Sequence, residues 1–182
     1  MQKKKPVKIS TKRLVLRPLK IEDAPRVAYL ANNYQIYRNT LNLPYPYRKE
    51  DAEMWILRQM TKFDNNETIS LGISYRLTNE LVGVIGLYLC PYHENGEIGY
   101  WIGKDYRNKG FATEAVLALI DYAFGQLNYY RVYGKCFASN PASAKVLEKV
   151  GMTFEGELKG HIKKEDIFED VLCYGIINPN YY

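Results

Sequence analysis

Leu14 and Leu16 alternate with Val15 and Arg17, a period of two that predicts a first strand. Glu22-Asp23-Ala24-Pro25 then sets acidic residues and a proline where a helix opens. Over residues 50–63 the apolar spacing lengthens to three and four. Ala52, Trp55, Ile56, Met60 and Phe63 fall on one face, which predicts a half-buried helix approached through residues 45–48. Residues 68–76 and 81–89 are rich in β-branched and aromatic side chains and flank Thr78-Asn79-Glu80, so they predict an antiparallel hairpin. Residues 97–103 read as a strand, 110–124 as a helix and 131–138 as a strand again. A short helix over 141–150 and a hairpin from 152–162 and 167–177 complete the pattern.

These elements describe a mixed α/β chain around one sheet. No repeat or Pro-, Gly- or Ser-rich linker divides them, so residues 1–182 are expected to form a single domain behind a basic tail of residues 1–8. A chain of 182 residues is long enough for one core. Its 47% hydrophobic and 25% charged residues match globular usage and exclude a disordered or fibrous chain.

The N-terminal lysines lead into no signal-peptide h-region, and no apolar stretch approaches the ~20 residues of a membrane span, so a soluble cytoplasmic protein without a membrane partner is expected. Cys90, Cys136 and Cys173 lack CxxC spacing, and His93 and His161 have no visible partners, so neither metal nor structural disulfide is expected. A net charge of +5 would suit a polyanion, but the basic residues are scattered. Charge alone does not choose between nucleic acid and an anionic cofactor, and no aromatic-basic stripe favours nucleic acid.

The sharpest motif is Arg107-Asn108-Lys109-Gly110-Phe111-Ala112, of the form [Q/R]-x-x-G-x-[G/A], between the strand at Glu97 and the helix that follows. Ala112, Ala115, Val116, Leu119, Ile120 and Ala123 hold a helical period, so a helix begins at the motif. Its first N–H groups lack partners, and Gly110 and Ala112 keep side chains out of the way. Those amides and the positive end of the helix dipole can meet a pyrophosphate, with Arg107 and Lys109 adding charge. A second helix start lies downstream, where Asn140 suits an N-cap, Pro141 the first turn and Gly151 the C′ position.

With Thr11 to Arg17, Gly96 to Ile102, Tyr106 to Glu114 and Asn140 to Met152 taken together, the sequence resembles the GNAT acetyltransferases over almost its whole length. Within them it is similar to the RimJ/RimL-like ribosomal-protein N-terminal acetyltransferases. The resemblance implies an α/β fold with one central, mostly antiparallel sheet, helices on both faces, and a splay between the fourth strand, near Glu97, and the fifth, near Arg131. The pantetheine arm of acetyl-CoA would lie in that gap. Tyr100, Trp101 and Ile102 would offer it backbone groups, Asn108, Lys109, Gly110, Phe111, Ala112 and Thr113 would wrap the pyrophosphate, and Asn140 with Ser143 would reach CoA from the next helix.

Acetyl transfer to an amine needs a base for the ammonium and an acid for the departing thiolate. Glu97, beside the expected cleft, is the candidate base, and Ser143, three residues after Asn140, is the candidate acid or CoA-positioning group. A tyrosine could replace Ser143 as acid, with Tyr174 a further candidate. Cys136 could carry the acetyl group covalently, but a small buried thiol is the plainer reading.

The implied acceptor is a protein N-terminal α-amine, ribosomal or otherwise. The alternatives are a small amine such as a polyamine or an antibiotic, and a non-catalytic acyl-CoA-binding module. The acceptor loops would come from residues 32–48 and 156–165, which carry no readable code. A homodimer is left open.

Overall fold

The computed structural model describes residues 5–182. One eight-stranded sheet runs through the chain in the order β1-β2-β3-β4-β5-β6-β8-β7. Its strands are β1 (Ile9–Ser10), β2 (Leu14–Pro18), β3 (Thr68–Tyr75), β4 (Leu81–Cys90), β5 (Asn95–Ile102), β6 (Arg131–Phe137), β7 (Thr153–Lys164) and β8 (Ile167–Ile177). Neighbours are antiparallel except β5 and β6, which run parallel. The helices are α1 (Ala24–Ala31), α2 (Tyr34–Arg38), α3 (Lys49–Asp64), α4 (Phe111–Gly125) and α5 (Pro141–Lys149).

The sheet is covered on both faces. α4 and α5 press Phe111, Ala115, Val116, Leu119, Ala144 and Leu147 against Leu14, Leu16, Ile85, Ile98 and Val132 in the larger core. α1 and α3 cover the other face with Ala24, Val27, Ala52 and Ile56 against Leu81 and Val84. The periodic residues of 110–124 are the buried face of α4, so the predicted amphipathic pattern holds along that helix.

Several expectations need correction. Met60 is 48% exposed, and Gln59 is turned inward instead, where its Oε1 accepts a 2.8 Å hydrogen bond from Ser70. The short helix α2 lies where only a loop was expected. Asn33 caps it by accepting from the Ile36 amide, and its five residues contain a single buried apolar side chain, Ile36, too little pattern to predict. The basic segment is not a free tail throughout. Residues 1–4 lie outside the described residues, but Val7 is buried in the larger core.

Among the described residues no helix is long and apolar enough to cross a membrane. All three cysteines are unpaired, and among the described residues no cluster of His, Cys, Asp and Glu that could hold a metal is present.

Leu119 is fully buried and fastens α4 to the sheet. Leu119→Ala is expected to cost about 2–5 kcal/mol, measured as a lowered urea midpoint. An unchanged midpoint would show that α4 is not anchored through this face.

Candidate functional site

Parallel pairing between β5 and β6 begins at Asn95 with Arg131 and ends at Ile98 with Gly134, although β5 continues to Ile102 and β6 to Phe137. Past that point β5 keeps only β4 and β6 keeps only β8. The facing edges of the two strands therefore part, and backbone groups along residues 99–102 look into the gap.

Strand alternation assigns side chains to the two mouths of this opening. Ile98, Tyr100 and Ile102 face α4 and α5, whereas Glu97 and Trp101 face α1 and α3. Trp101 packs in the smaller core and Ile102 is buried, so these two can offer a ligand main chain rather than side chain.

On the α5 side the Tyr100 hydroxyl lies 3.0 Å from Ser143 Oγ and 3.3 Å from the Ser143 carbonyl oxygen. Asn140 caps α5 by accepting from the Ser143 amide at 3.4 Å, which fixes Ser143 in the first turn. Burial pushes the Tyr100 hydroxyl up to about 12, against a smaller downward pull from Ser143. Burial likewise pushes the Cys136 thiol up to about 11, with Cys173 adding to the rise and Ser143 pulling a little the other way. Both groups hold their protons at neutral pH. They can donate a proton, but neither is an anionic nucleophile there. Tyr174, the other tyrosine candidate, is buried and donates to Glu148 Oε1 at 3.2 Å, so its hydroxyl is committed to α5.

On the opposite face Glu97 Oε2 accepts from Lys135 Nζ at 3.2 Å. Lys135 is the first residue of β6 beyond the paired segment, so the two side chains bridge the base of the opening. The pair is about a third exposed on both sides, and a surface pair of this kind contributes about 0–1 kcal/mol. Tyr88 and Tyr133 sit in register with Glu97 on either side. Burial raises both tyrosines, and the Glu97 charge adds to each. Glu97 and Ser143 thus lie on opposite faces of the sheet at the same opening.

The loop before α4 is held in a shape that bares its amides. Asn108 and Gly110 both take left-handed backbone, with φ of 60° and 76°. The amides of residues 108–113 donate to no backbone carbonyl among the described residues, so they and the α4 dipole are free to hold an anion. A network from the turn between β1 and β2 sets this shape. Glu114, in the first turn of α4, accepts from Thr11 Oγ1 at 2.6 Å, the Arg13 amide at 2.8 Å and Arg13 Nε at 2.6 Å. Arg13 also donates to the Lys109 carbonyl at 2.8 Å and lies over the Phe111 ring, 4.9 Å from its centroid. Phe111 is buried beneath it and Lys109 lies over Tyr106, so the loop meets a ligand largely through main chain.

Arg107 does not point into this anion site. Its Nε donates to the Ile102 carbonyl at 3.1 Å, Nη2 donates to Asn33 Oδ1 at 3.1 Å, and Nη1 donates to Gln35 Oε1. The guanidinium expected to add charge to a pyrophosphate is instead joined to α2.

The acetyltransferase (GNAT) domain model matches residues 13–153, which include the Arg13 anchor, the opening, the bared loop and α5. The chain belongs to the GNAT family. This acetyltransferase uses acetyl-CoA as donor and an amine as acceptor. It is 30% identical over 172 residues to the uncharacterized N-acetyltransferase YoaA of Bacillus subtilis, covering 94% of this chain and 97% of YoaA. It is 33% identical over 100 residues to the ribosomal-protein-serine acetyltransferase of Escherichia coli, covering 54% and 56%. It is 28% identical over 144 residues to the spermidine N(1)-acetyltransferase of the same organism, covering 79% and 74%.

Among solved structures, a GNAT acetyltransferase from Bacillus anthracis superposes with a TM-score of 0.84 at 25% identity, over 94% of this chain and 99% of that one. RimL, a ribosomal L7/L12 alpha-N-protein acetyltransferase in complex with coenzyme A, gives 0.86 at 22%, over 94% and 98%.

Three features of this acetyltransferase's site were not read from the sequence: the Tyr100 hydroxyl, Lys135 beside Glu97, and the clamp of Thr11 and Arg13 on Glu114. Strand alternation could have turned Tyr100 toward α5. The other two depend on register and long-range packing, which no local pattern carries.

Burial draws Glu114 upward, but its hydrogen bonds from Thr11 and Arg13, with the Arg13 charge, hold it below the ordinary carboxylate range. A depressed folded value adds stability that is present above the unfolded value of about 4.3 and is lost as pH falls through the folded one. Glu114→Gln is therefore expected to lower the urea midpoint at neutral pH, with the gap from the parent closing below about pH 4.3. A gap independent of pH would refute the clamp.

Proposed function

We propose that the chain transfers the acetyl group of acetyl-CoA directly to the α-amine of a protein N-terminus. Acetyl-CoA would lie with its pyrophosphate on the amides of residues 108–113 and its pantetheine along β5 between Gly99 and Ile102. Asn140 and Ser143 would meet it from α5. The acceptor amine would enter from the face that carries Glu97, Tyr88 and Tyr133. Glu97 takes the ammonium proton directly or through a water, and the neutral nitrogen attacks the thioester carbonyl carbon. As the C–S bond breaks, the hydrogen-bonded Tyr100 and Ser143 hydroxyls supply a proton to the departing thiolate. Glu97, having passed its first proton to solvent, takes the excess proton of the tetrahedral nitrogen. Solvent restores the proton given up by the Tyr100 and Ser143 hydroxyls, so that each turnover releases one proton.

The observation that carries the choice of acceptor is the charge balance on that face. Glu97 is paired with Lys135, Glu169 of β8 with Arg38, and Glu165 accepts from Tyr37 at 2.6 Å. A polyamine needs carboxylates to hold its additional cations, and two of these three are already neutralised by a cation while the third is hydrogen-bonded to a tyrosine. A peptide α-amine carries one charge and titrates near 7.7–8.0, about 2.5 units below a Lys-type amine, so it demands little of its base. The E. coli ribosomal-protein relative supports the same reading. The spermidine relative favours the second one, a polyamine or other small amine.

Incubation with acetyl-CoA, a panel of N-terminal peptides and spermidine, read by mass spectrometry, tests the choice. Acetylation of peptide α-amines in preference to spermidine is expected, and spermidine as the sole product would overturn it. Glu97→Gln keeps the shape of the side chain but not its proton affinity. At neutral pH kcat is expected to fall by about 10²-fold or more while CoA still binds. The deficit should narrow above about pH 8, where the α-amine is already neutral. A full rate at pH 7 would remove Glu97 as the base.

A further inference from the structure

Helix α2 is tied, directly at its start and through Glu169 at its end, to the residues that immediately precede the two segments read as CoA-binding. At its start, Asn33 and Gln35 accept from Arg107, directly before the loop of residues 108–113. At its end, Arg38 Nη1 lies 3.0 Å from Glu169 Oε1, off the hydrogen-bonding direction, so that this contact is ionic. The other oxygen of Glu169 accepts from Ser139 at 2.8 Å, directly before Asn140. Glu169 is 6% exposed, so Ser139 and Arg38 meet on a buried carboxylate. Few apolar contacts hold this five-residue helix, whose buried residues number only Ile36. Its place over the acceptor face depends on polar links, to which Lys164 adds a bond from Nζ to the Thr40 carbonyl.

The two ends differ in charge. Arg38 has a carboxylate opposite it, whereas the three acceptors of Arg107 are neutral oxygens and no carboxylate pairs with it among the described residues. A partly buried guanidinium without a counter-charge is costly to desolvate. An anion drawn onto the next residues of the chain would reduce that cost.

We infer that Arg107 is a positioning residue for the acceptor side: through Asn33 and Gln35 it settles α2 when the CoA anion occupies the adjoining loop. The inference rests on residues 108–113 being the CoA site. The helix so settled carries Tyr34 and Tyr37, which with Tyr45 form a cluster of rings 5.6–5.9 Å apart between their centroids. Tyr34 and Tyr45 are half exposed and available to an acceptor. Coupling of this kind is reciprocal, so whatever settles α2 also favours CoA.

Hydrogen exchange of the amides of residues 34–40, with and without CoA, tests it beside calorimetry of CoA binding. In the parent, CoA is expected to slow their exchange by about fivefold or more. Arg107→Met should bind CoA more weakly by a similar factor and show no slowing of α2. Asn33→Asp keeps the cap and gives Arg107 a carboxylate, so α2 should already exchange slowly without CoA and gain little from it. CoA binding to the parent without slowing of α2, full slowing in Arg107→Met, or an undiminished CoA effect in Asn33→Asp would each overturn the inference. A parent that binds no CoA would instead overturn the assignment of the loop on which it rests.

Discussion

The rest of the site depends on a parallel strand pair that stops pairing halfway. A sheet interior normally satisfies every backbone N–H and C=O by its neighbours, and an unpaired stretch within it is costly unless something else bonds there. Here β5 and β6 part after Ile98 and Gly134, and the surrounding packing keeps them apart. A Cβ on Gly134 would stand 2.9 Å from Leu147 and 3.2 Å from Ile98, so α5 sits down on β6 at the fork itself. Beyond the fork the Tyr100 hydroxyl reaches Ser143 on α5, filling one mouth of the gap with a polar contact rather than with strand. The exposed edge of β5 is thereby left for a ligand whose amides can do what a strand would have done.

The same fork explains why each mouth has its own chemistry. A strand sends successive side chains to opposite faces, so Glu97 and Tyr100, three residues apart, serve different sides of one opening. A proton acceptor on one side and proton donors on the other suit a reaction that takes a proton from an amine and gives one to a sulfur. Because both groups sit on one strand, the distance between their roles is set by backbone geometry rather than by loop conformation.

How much of this was legible in the sequence follows the range of the interactions. Wherever the pattern was local and long, as in the apolar face of α4 or the caps Asn140 and Gly151, the elements could be read directly, and the family resemblance carried the splay. The role of Thr11 and Arg13 could not be read, because it depends on Glu114 about 100 positions away. Arg107 shows the opposite failure. A basic residue at a phosphate motif invites a phosphate role, yet its side chain points away from the loop whose backbone it shares. α2 escaped notice because polar links hold it, and such links have no periodicity.

Cys136 bears on whether the acetyl group passes through the protein. A covalent route would need its thiolate, which must attack the thioester and then be displaced by the amine. Burial pushes the thiol up to about 11, with the nearby Cys173 adding to the rise, so at neutral pH the thiolate is a fraction on the order of 10⁻⁴ of the whole. The influence of Ser143 offsets only part of that. On the other side of the fork Glu97, ion-paired with Lys135, faces the proposed acceptor amine. Direct attack can use the Tyr100 hydroxyl with the proton it already holds, whereas the covalent route must first create a thiolate that the surroundings suppress. The burial that makes Cys136 a poor nucleophile also keeps the neighbouring Tyr100 protonated, so one low-polarity pocket disfavours the two-step path and suits the direct transfer proposed above.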